Sequence, residues 1–439
     1  MPLYKFKASR AAVVLATGAL LGTFALSACG SSSSGSADST GDTSGASPCG
    51  LGNGKKASGD PVVIGALVTK QPGLDQFTDA TDMAKAYFDC VNDNGGINGR
   101  PIEYVTYEDQ TDPAVTQSLG TKLLAENPLA LAGGLSVLDC PVNGPAYAQA
   151  GYAITSAGVT NDCFGFADMS PVNIGSAGSS TAAAQYLADK GVKKIVIVTT
   201  NAPGADLVNK SALDFADSKG ISSEGMLENV PVADANGLAL KLVKAAGEDG
   251  GVIVNFNPGD SLKVFSAVTQ QGLQDRVTWA CPSGCNDAEL VKSLGGAWDR
   301  KLGINAEYAL PTSTGPDAQL FRLVREKYTP DTGLSAYGQL GFVSALITVK
   351  AMLSVPVDQL SVKTVNNAIA KTTDFESDLL CRPYYFGSGL THHMSNNWTR
   401  MVEIDNGELT PAGDCFALAA TPVNHLDEIR QYEAAHGIS

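Results

Sequence analysis

The sequence predicts an α/β fold of two lobes, each a parallel sheet doubly wound with helices on both faces. Three observations lead there. Short apolar runs of strand length recur along the chain and alternate with longer stretches of helical period. Strands buried on both faces lose the polar alternation of a half-exposed sheet, and helices between them make the connections parallel. The runs fall into two groups, and 439 residues exceed what one hydrophobic core usually organises.

In chain order, the first group opens with an apolar run at 61–68 and a helical stretch at 79–92. A strand is expected at 102–107, then a helix at 113–126 opened by Asp112-Pro113, because proline suits the first helical turn. Strands follow at 129–133 and 152–155. The second group has strands at 194–199, 252–256 and 277–280, separated by helical stretches at 205–218, 237–246 and 262–271. A surface helix is expected at 424–435.

Ahead of the first strand lie two segments of different character. Lys5, Lys7 and Arg10 precede an apolar run at 11–26, the layout of a signal peptide covering 1–28. It ends in Leu26-Ser27-Ala28-Cys29, which resembles the bacterial lipobox, in which the cysteine is acylated and becomes the mature N-terminus. Cys29 is therefore the expected lipidation site, and several acyl chains on one residue anchor stably. The Ser/Gly-rich stretch 29–60 reads as a flexible tether, because it cannot bury enough surface to offset its ordering entropy. No later stretch reads as a membrane span.

Asp and Glu outnumber Lys and Arg by 45 to 30, a formal charge of -15. Nucleic acid is excluded as a partner, since it demands basic patches. Besides Cys29 there are Cys49, Cys90, Cys140, Cys163, Cys281, Cys285, Cys381 and Cys415, an even set that reads as disulfides in an exported chain. Strand order suggests Cys49–Cys90, Cys140–Cys163, Cys281–Cys285 and Cys381–Cys415. Cys140 and Cys163 follow strands that should be neighbours, Cys90 ends a helix near the entry of the first strand, and Cys281 and Cys285 close a short turn. Cys381–Cys415 would tie the last crossing to a C-terminal strand. No metal or other cofactor is expected, because Cys281-Pro-Ser-Gly-Cys285 has no histidine nearby.

The densest motif is Asn92-Asp-Asn-Gly-Gly-Ile-Asn-Gly-Arg-Pro-Ile-Glu103, followed by Glu108-Asp-Gln-Thr-Asp-Pro113. It combines a helix stop, a glycine-rich turn, a strand and a helix start. Here, and in Ser156-Ala-Gly-Val-Thr-Asn161, the chain resembles the branched-chain (leucine/isoleucine/valine) amino-acid-binding family of ABC transporter substrate-binding lipoproteins. The resemblance covers most of the chain from about Val62 on. It implies the type I periplasmic-binding-protein fold, two Rossmann-like lobes joined by a three-crossover hinge around a ligand cleft. We place the crossings near 175–178, 305–310 and 382–389, so that in the body at 61–439 lobe one is about 61–176 and 309–381 and lobe two about 177–308 and 382–439.

Ligands of open parallel sheets bind beyond the carboxyl ends of the strands. The family holds a ligand carboxylate with a serine hydroxyl and backbone amides in one lobe-one loop and a threonine in the next. By position these are Ser136 and Thr160, with Gly158 beside the latter. The alternative is that Ser136 and Thr160 are helix caps alone. From lobe two the resemblance implies Phe256, Asn257 and Ser283, the last standing where the family has the acid that reads the ligand's ammonium. An ammonium without a carboxylate would be poorly compensated in a closed cleft, and Asp139, Asp162 or Asp206 could supply the charge instead.

Enzyme motifs fail. Cys49-Gly-Leu-Gly-Asn-Gly54-Lys55-Lys56 lacks the first Gly and the final Ser/Thr of a phosphate loop, and all four histidines follow residue 390. The expected function is thus a monomeric, non-enzymatic receptor on the outer face of the cell membrane. It captures a small polar solute, an amino acid or related carboxylate or amide, and delivers it to an ABC permease. The alternative is a sensor of the same fold coupled to a membrane signalling protein. Cys29→Ala should release the chain from the membrane fraction or block its processing; firm attachment and correct cleavage of that variant would remove the lipid anchor from the account.

Overall fold

The computed structural model describes residues 49–202, 204–394, 397–419 and 426–438. Cys29 and most of the stretch expected as a tether lie outside the described residues. Residues 49–60 are not free: Cys49 is disulfide-bonded to Cys90, the Ala57 N–H donates to the Asn92 carbonyl at 2.8 Å, and Gly59 does the same to Gly99 at 3.0 Å.

Lobe one starts with β1 (Val62–Thr69), α1 (Thr78–Asp93), β2 (Ile102–Asp109), α2 (Pro113–Ala125), β3 (Ala130–Leu131) and α3 (Asp139–Gln149). Its sheet has the order β2-β1-β3, all parallel. Asp112 caps α2, its side chain accepting from the Ala114 and Val115 amides, with Pro113 next. Lobe two follows with α4 (Gly175–Asp189), β4 (Lys194–Thr200), α5 (Ala205–Ser218), β5 (Ser222–Glu228), α6 (Ala235–Ala246), β6 (Gly250–Asn255), α7 (Pro258–Gln270), β7 (Thr278–Cys281), α8 (Ala288–Leu294) and β8 (Leu302–Ala306). The chain then returns to lobe one as α9 (Pro316–Tyr328), α10 (Ala336–Leu353) and α11 (Val362–Ala370). It ends with β9 (Trp398–Asp405), β10 (Glu408–Pro411), β11 (Phe416–Ala417) and α12 (Leu426–His436).

The lobe-two sheet runs β10-β9-β8-β7-β6-β4-β5, parallel from β8 to β5, with β9 antiparallel to β8 and β11 paired to β9. Its two faces bury separate apolar clusters. Leu187, Ile195, Ile197 and Phe215 pack on the α4 and α5 side, while Val254, Val264, Trp279 and Trp298 pack on the α7 side. In lobe one, α1 and α10 pack on the sheet through Met83, Tyr87, Phe342 and Ile347. Helix α10 is long and apolar enough to cross a membrane by length and composition, contrary to expectation, but it is mostly buried as the central helix of this core.

Several boundaries differ from the sequence expectation. Residues 152–155 form no strand; Ile154 makes one bridge to Met169, and the Thr155 hydroxyl turns inward to Ser344 and Thr348. The edge strand β5 escapes prediction because its Ser-Ser-Glu-Gly start carries no apolar run. Residues 175–178 are the first turn of α4, so the first crossing lies just before them. Segment 382–389 still leans on lobe one, Tyr384 pairing with Phe375 and the Phe386 N–H donating to Thr372, so the third crossing falls between His393 and Trp398.

Disulfides join Cys49–Cys90, Cys140–Cys163, Cys281–Cys285 and Cys381–Cys415, the pairs that strand order suggested. The tightest helix contact is α1 on α10, where a Cβ at Gly341 would lie 1.8 Å from the Ala80 carbonyl oxygen. Backbone cannot yield as a flexible side chain does. Gly341→Ala should therefore cost about 3 kcal/mol or more by forcing the helices apart, read as a large fall in Tm or failure to fold.

Candidate ligand-binding cleft

The carboxyl ends of the lobe-one strands are drawn together by one buried carboxylate. Asp109, the last residue of β2, accepts from the Thr69 hydroxyl at 2.8 Å and the Thr111 amide at 3.1 Å through Oδ1, and from the Ser136 hydroxyl through Oδ2. Thr69 in turn accepts from the Val137 amide at 3.0 Å. Ser136 has one proton, and Asp109 takes it. Its oxygen also accepts from the Leu138 and Asp139 amides at 3.3 and 3.0 Å, at the start of α3. Ser136 is 4 % exposed and serves as a strut between Asp109 and the start of α3, with its one proton committed to Asp109.

The second loop is clamped from behind. The Gly158 amide donates to Asn173 Oδ1 at 2.8 Å and its carbonyl accepts from Asn173 Nδ2 at 2.9 Å, so its one backbone donor is already committed. Thr160 is half-buried, with its hydroxyl 3.8 Å from Cys163 Sγ, a weak contact that leaves the proton for a better acceptor.

Asn173 leads straight to the hinge. The next residue, Ile174, donates its amide to Glu307 Oε2 at 2.7 Å, and Ser283 of lobe two donates its hydroxyl to Glu307 Oε1 at 2.7 Å. The Ser283 amide is held by Ser179 Oγ at 2.7 Å, and Ser179 donates to Asn305 Oδ1 at 2.8 Å. A continuous path thus runs from the Thr160 loop across the first crossing to the Ser283 loop. Burial pushes the Glu307 carboxyl up to about 7, opposed by its two hydrogen bonds.

The other residues implied for lobe two are placed differently. Phe256 is 4 % exposed and belongs to the lobe-two core with Val264 and Cys285, so its ring is spent on packing instead of lining the cleft. Asn257 caps α7, accepting the Asp260 amide at 2.9 Å and donating to its carboxylate at 2.8 Å. It nevertheless faces lobe one: a Cβ on Gly73 would stand 3.8 Å from Asn257 Nδ2. Of the acids named as substitutes, Asp139 is engaged by Asn143 and Tyr147 on its own helix, and Asp162 and Asp206 are exposed.

Residues that the sequence left unmarked complete the junction. Tyr337, in the first turn of α10, packs at a tilt on Phe77 with ring centroids 5.1 Å apart, and a Cβ on Gly284 would come 3.5 Å from its hydroxyl. Asp79, Asp287 and Glu307 all act electrostatically on that phenol. The only sequence signal was a Ser-Ala-Tyr start to a long apolar helix, which reads first as a cap. Among the described residues no group of three or more His, Cys, Asp or Glu is placed to hold a metal ion. A surface depression of about 540 Å³ lined by Lys190, Asp249, Arg276 and Lys301 lies at the opposite edge of the lobe-two sheet, where strands begin.

This two-lobed arrangement matches a known family model, described as periplasmic binding protein, over residues 61–408. The chain belongs to that family. Among solved structures, the fatty acid ABC transporter substrate-binding protein of Thermomonospora curvata superposes with a TM-score of 0.71 at 16% identity, covering 84% of this chain and 96% of that one. A branched chain amino acid ABC transporter protein of Thermus thermophilus with bound valine gives 0.71 at 15% identity, covering 86% and 100%. A solute binding protein of R. palustris in complex with benzoate gives 0.68 at 16%, covering 82% and 99%. No curated protein sequence matches. At such identities these periplasmic binding proteins establish the shared type I fold, while their solutes are their own.

Ser136→Ala would leave Asp109 short of a donor and the Leu138 and Asp139 amides short of their acceptor. A loss of about 1–3 kcal/mol in stability is expected, read as a lower midpoint in urea unfolding.

Proposed function

We propose that this protein is an extracytoplasmic lipoprotein that captures a small polar solute, an amino acid or related carboxylate or amide, between its lobes and presents the closed form to an ABC permease. Family membership supports binding and transport in general terms. The observation that carries the reading for this chain is the hydrogen-bonded path from Gly158 through Asn173, Ile174 and Glu307 to Ser283, which couples the cleft loops of both lobes to the crossings between them. Solute contacts that bring the loops together are thereby converted into hinge rotation, and a permease can distinguish the closed shape.

Thr160 from lobe one, Ser283 with Glu307 at the hinge, and Tyr337 from α10 are the contacts we assign to the solute. Membership of a family of binding proteins supports reading the site as one that binds without transforming. Mass spectrometry of solute co-purifying with the protein identifies the ligand, and calorimetry then measures its affinity. Thr160→Ala and Tyr337→Phe should each weaken binding about tenfold, the worth of one hydrogen bond to a polar ligand group. Wild-type affinity in both variants would move the binding site elsewhere.

A further inference from the structure

Beyond the three covalent crossings, the lobes meet in a short non-covalent strap. Asp287 of lobe two bridges Ser335 of lobe one in antiparallel sense. The Ala336 N–H donates to the Asn286 carbonyl at 3.0 Å, and the Ala288 N–H to the Leu334 carbonyl at 3.4 Å. Both central residues are helix caps. Asp287 accepts from the Leu290 amide at 2.8 Å at the start of α8, and Ser335 accepts from the Gly338 amide at 3.3 Å at the start of α10. Ser335 also gives its proton to Asp79 Oδ2, 2.7 Å away in the first turn of α1.

The strap therefore brings two carboxylates, Asp79 and Asp287, into one partly desolvated junction. The charged groups that act on them are all acidic: Asp82 and Asp287 on Asp79, and Glu289 on Asp287. Asp79, Asp287 and Glu307 all act on the Tyr337 phenol packed between the lobes, while Lys70 and Lys85 act on Asp82. Two like charges in a low-dielectric setting repel, and opening the strap returns both to water.

We propose that the strap is a charge-sensitive closure: it holds the lobes together while the Asp79 and Asp287 pair carries at most one negative charge, and it releases when both are ionised. This rests on the reading of the cleft as a closing receptor. Burial pushes Asp79 up to about 6 and raises Asp287 as well. A carboxyl whose value is raised in the closed form takes up a proton on closing. The stabilisation is full below the ordinary carboxylate range and is lost as pH rises through about 6. Both groups keep some exposure, so solvent screening reduces the effect to about tenfold in the closing equilibrium between pH 5 and 7.5.

Hydrogen exchange of the full chain in detergent, read by mass spectrometry at pH 5 and 7.5 and corrected for the intrinsic exchange rate, tests this. Peptides carrying Ala288 and Ala336 should be about tenfold better protected at pH 5, while peptides from β4 stay unchanged. Asp79→Asn should keep the strap protected at both pH values. Asp287→Asn should reduce the response without abolishing it, because burial still acts on Asp79; asparagine caps a helix as well as aspartate, so this variant carries the test if Asp79→Asn does not fold. Equal protection at both pH values in the wild type, or a wild-type pH response in both variants, overturns the proposal. Calorimetry with the co-purified solute reads the receptor function separately: intact binding with a pH-insensitive strap sinks only the strap, and a pH-sensitive strap without binding sinks only the receptor.

Discussion

A buried carboxylate that has no cation partner among the described residues governs how the lobes can be arranged. Glu307 is 8 % exposed and stands at the second crossing, one residue beyond β8. Burying such a group is costly unless its oxygens find donors. The donors come from different parts of the molecule, the Ile174 amide at the first crossing and the Ser283 hydroxyl in lobe two. The crossings and the lobe-two loop are consequently held in one register by the need to satisfy Glu307. Ser179 and Asn305 extend that register into α4 and, through Thr399, into β9.

The alternation of strands and helices was legible because it is local: β4, β6 and β7 are apolar runs, and Asp112-Pro113 supplies a cap and a first-turn proline ahead of a helical stretch. The edge strand β5 was not, since half its residues face water. The site was legible only as loops. Ser136 was found by position, yet whether its proton goes to a ligand or inward depended on Asp109, an acid 27 residues earlier that only the fold brings within reach. Asp79, Glu307 and Tyr337 come from three distant segments and share no motif, so pattern and spacing could not assemble them. A lone glutamate directly after the buried run 302–306 was the hint available for Glu307.

Two disulfides act on the cleft loops themselves. Cys140–Cys163 ties the start of α3 to the loop that carries Thr160, so the lobe-one platform is braced by a covalent link as well as by Asp109. Cys281–Cys285 closes a ring around Pro282, Ser283 and Gly284, which limits the backbone freedom of the segment that offers its hydroxyl to Glu307. Such links restrict the unfolded chain and contribute typically about 2–4 kcal/mol. Here they also reduce the ordering that binding would otherwise require.

The Cys49–Cys90 bridge sits at the other end of lobe one. It fastens the chain ahead of β1 to the last turns of α1, beside the Ala57 to Asn92 backbone bond and at the edge of the sheet where strands begin. Any tension applied through the residues preceding Cys49 therefore enters the body at α1, and through its packing on α10 it spreads into the most deeply buried part of lobe one. The β1–β2 ladder lies outside that load path. A pull from that side would strain a covalent bond and a helix pair before it unzipped a strand, leaving the carboxyl ends of the sheet mechanically quiet.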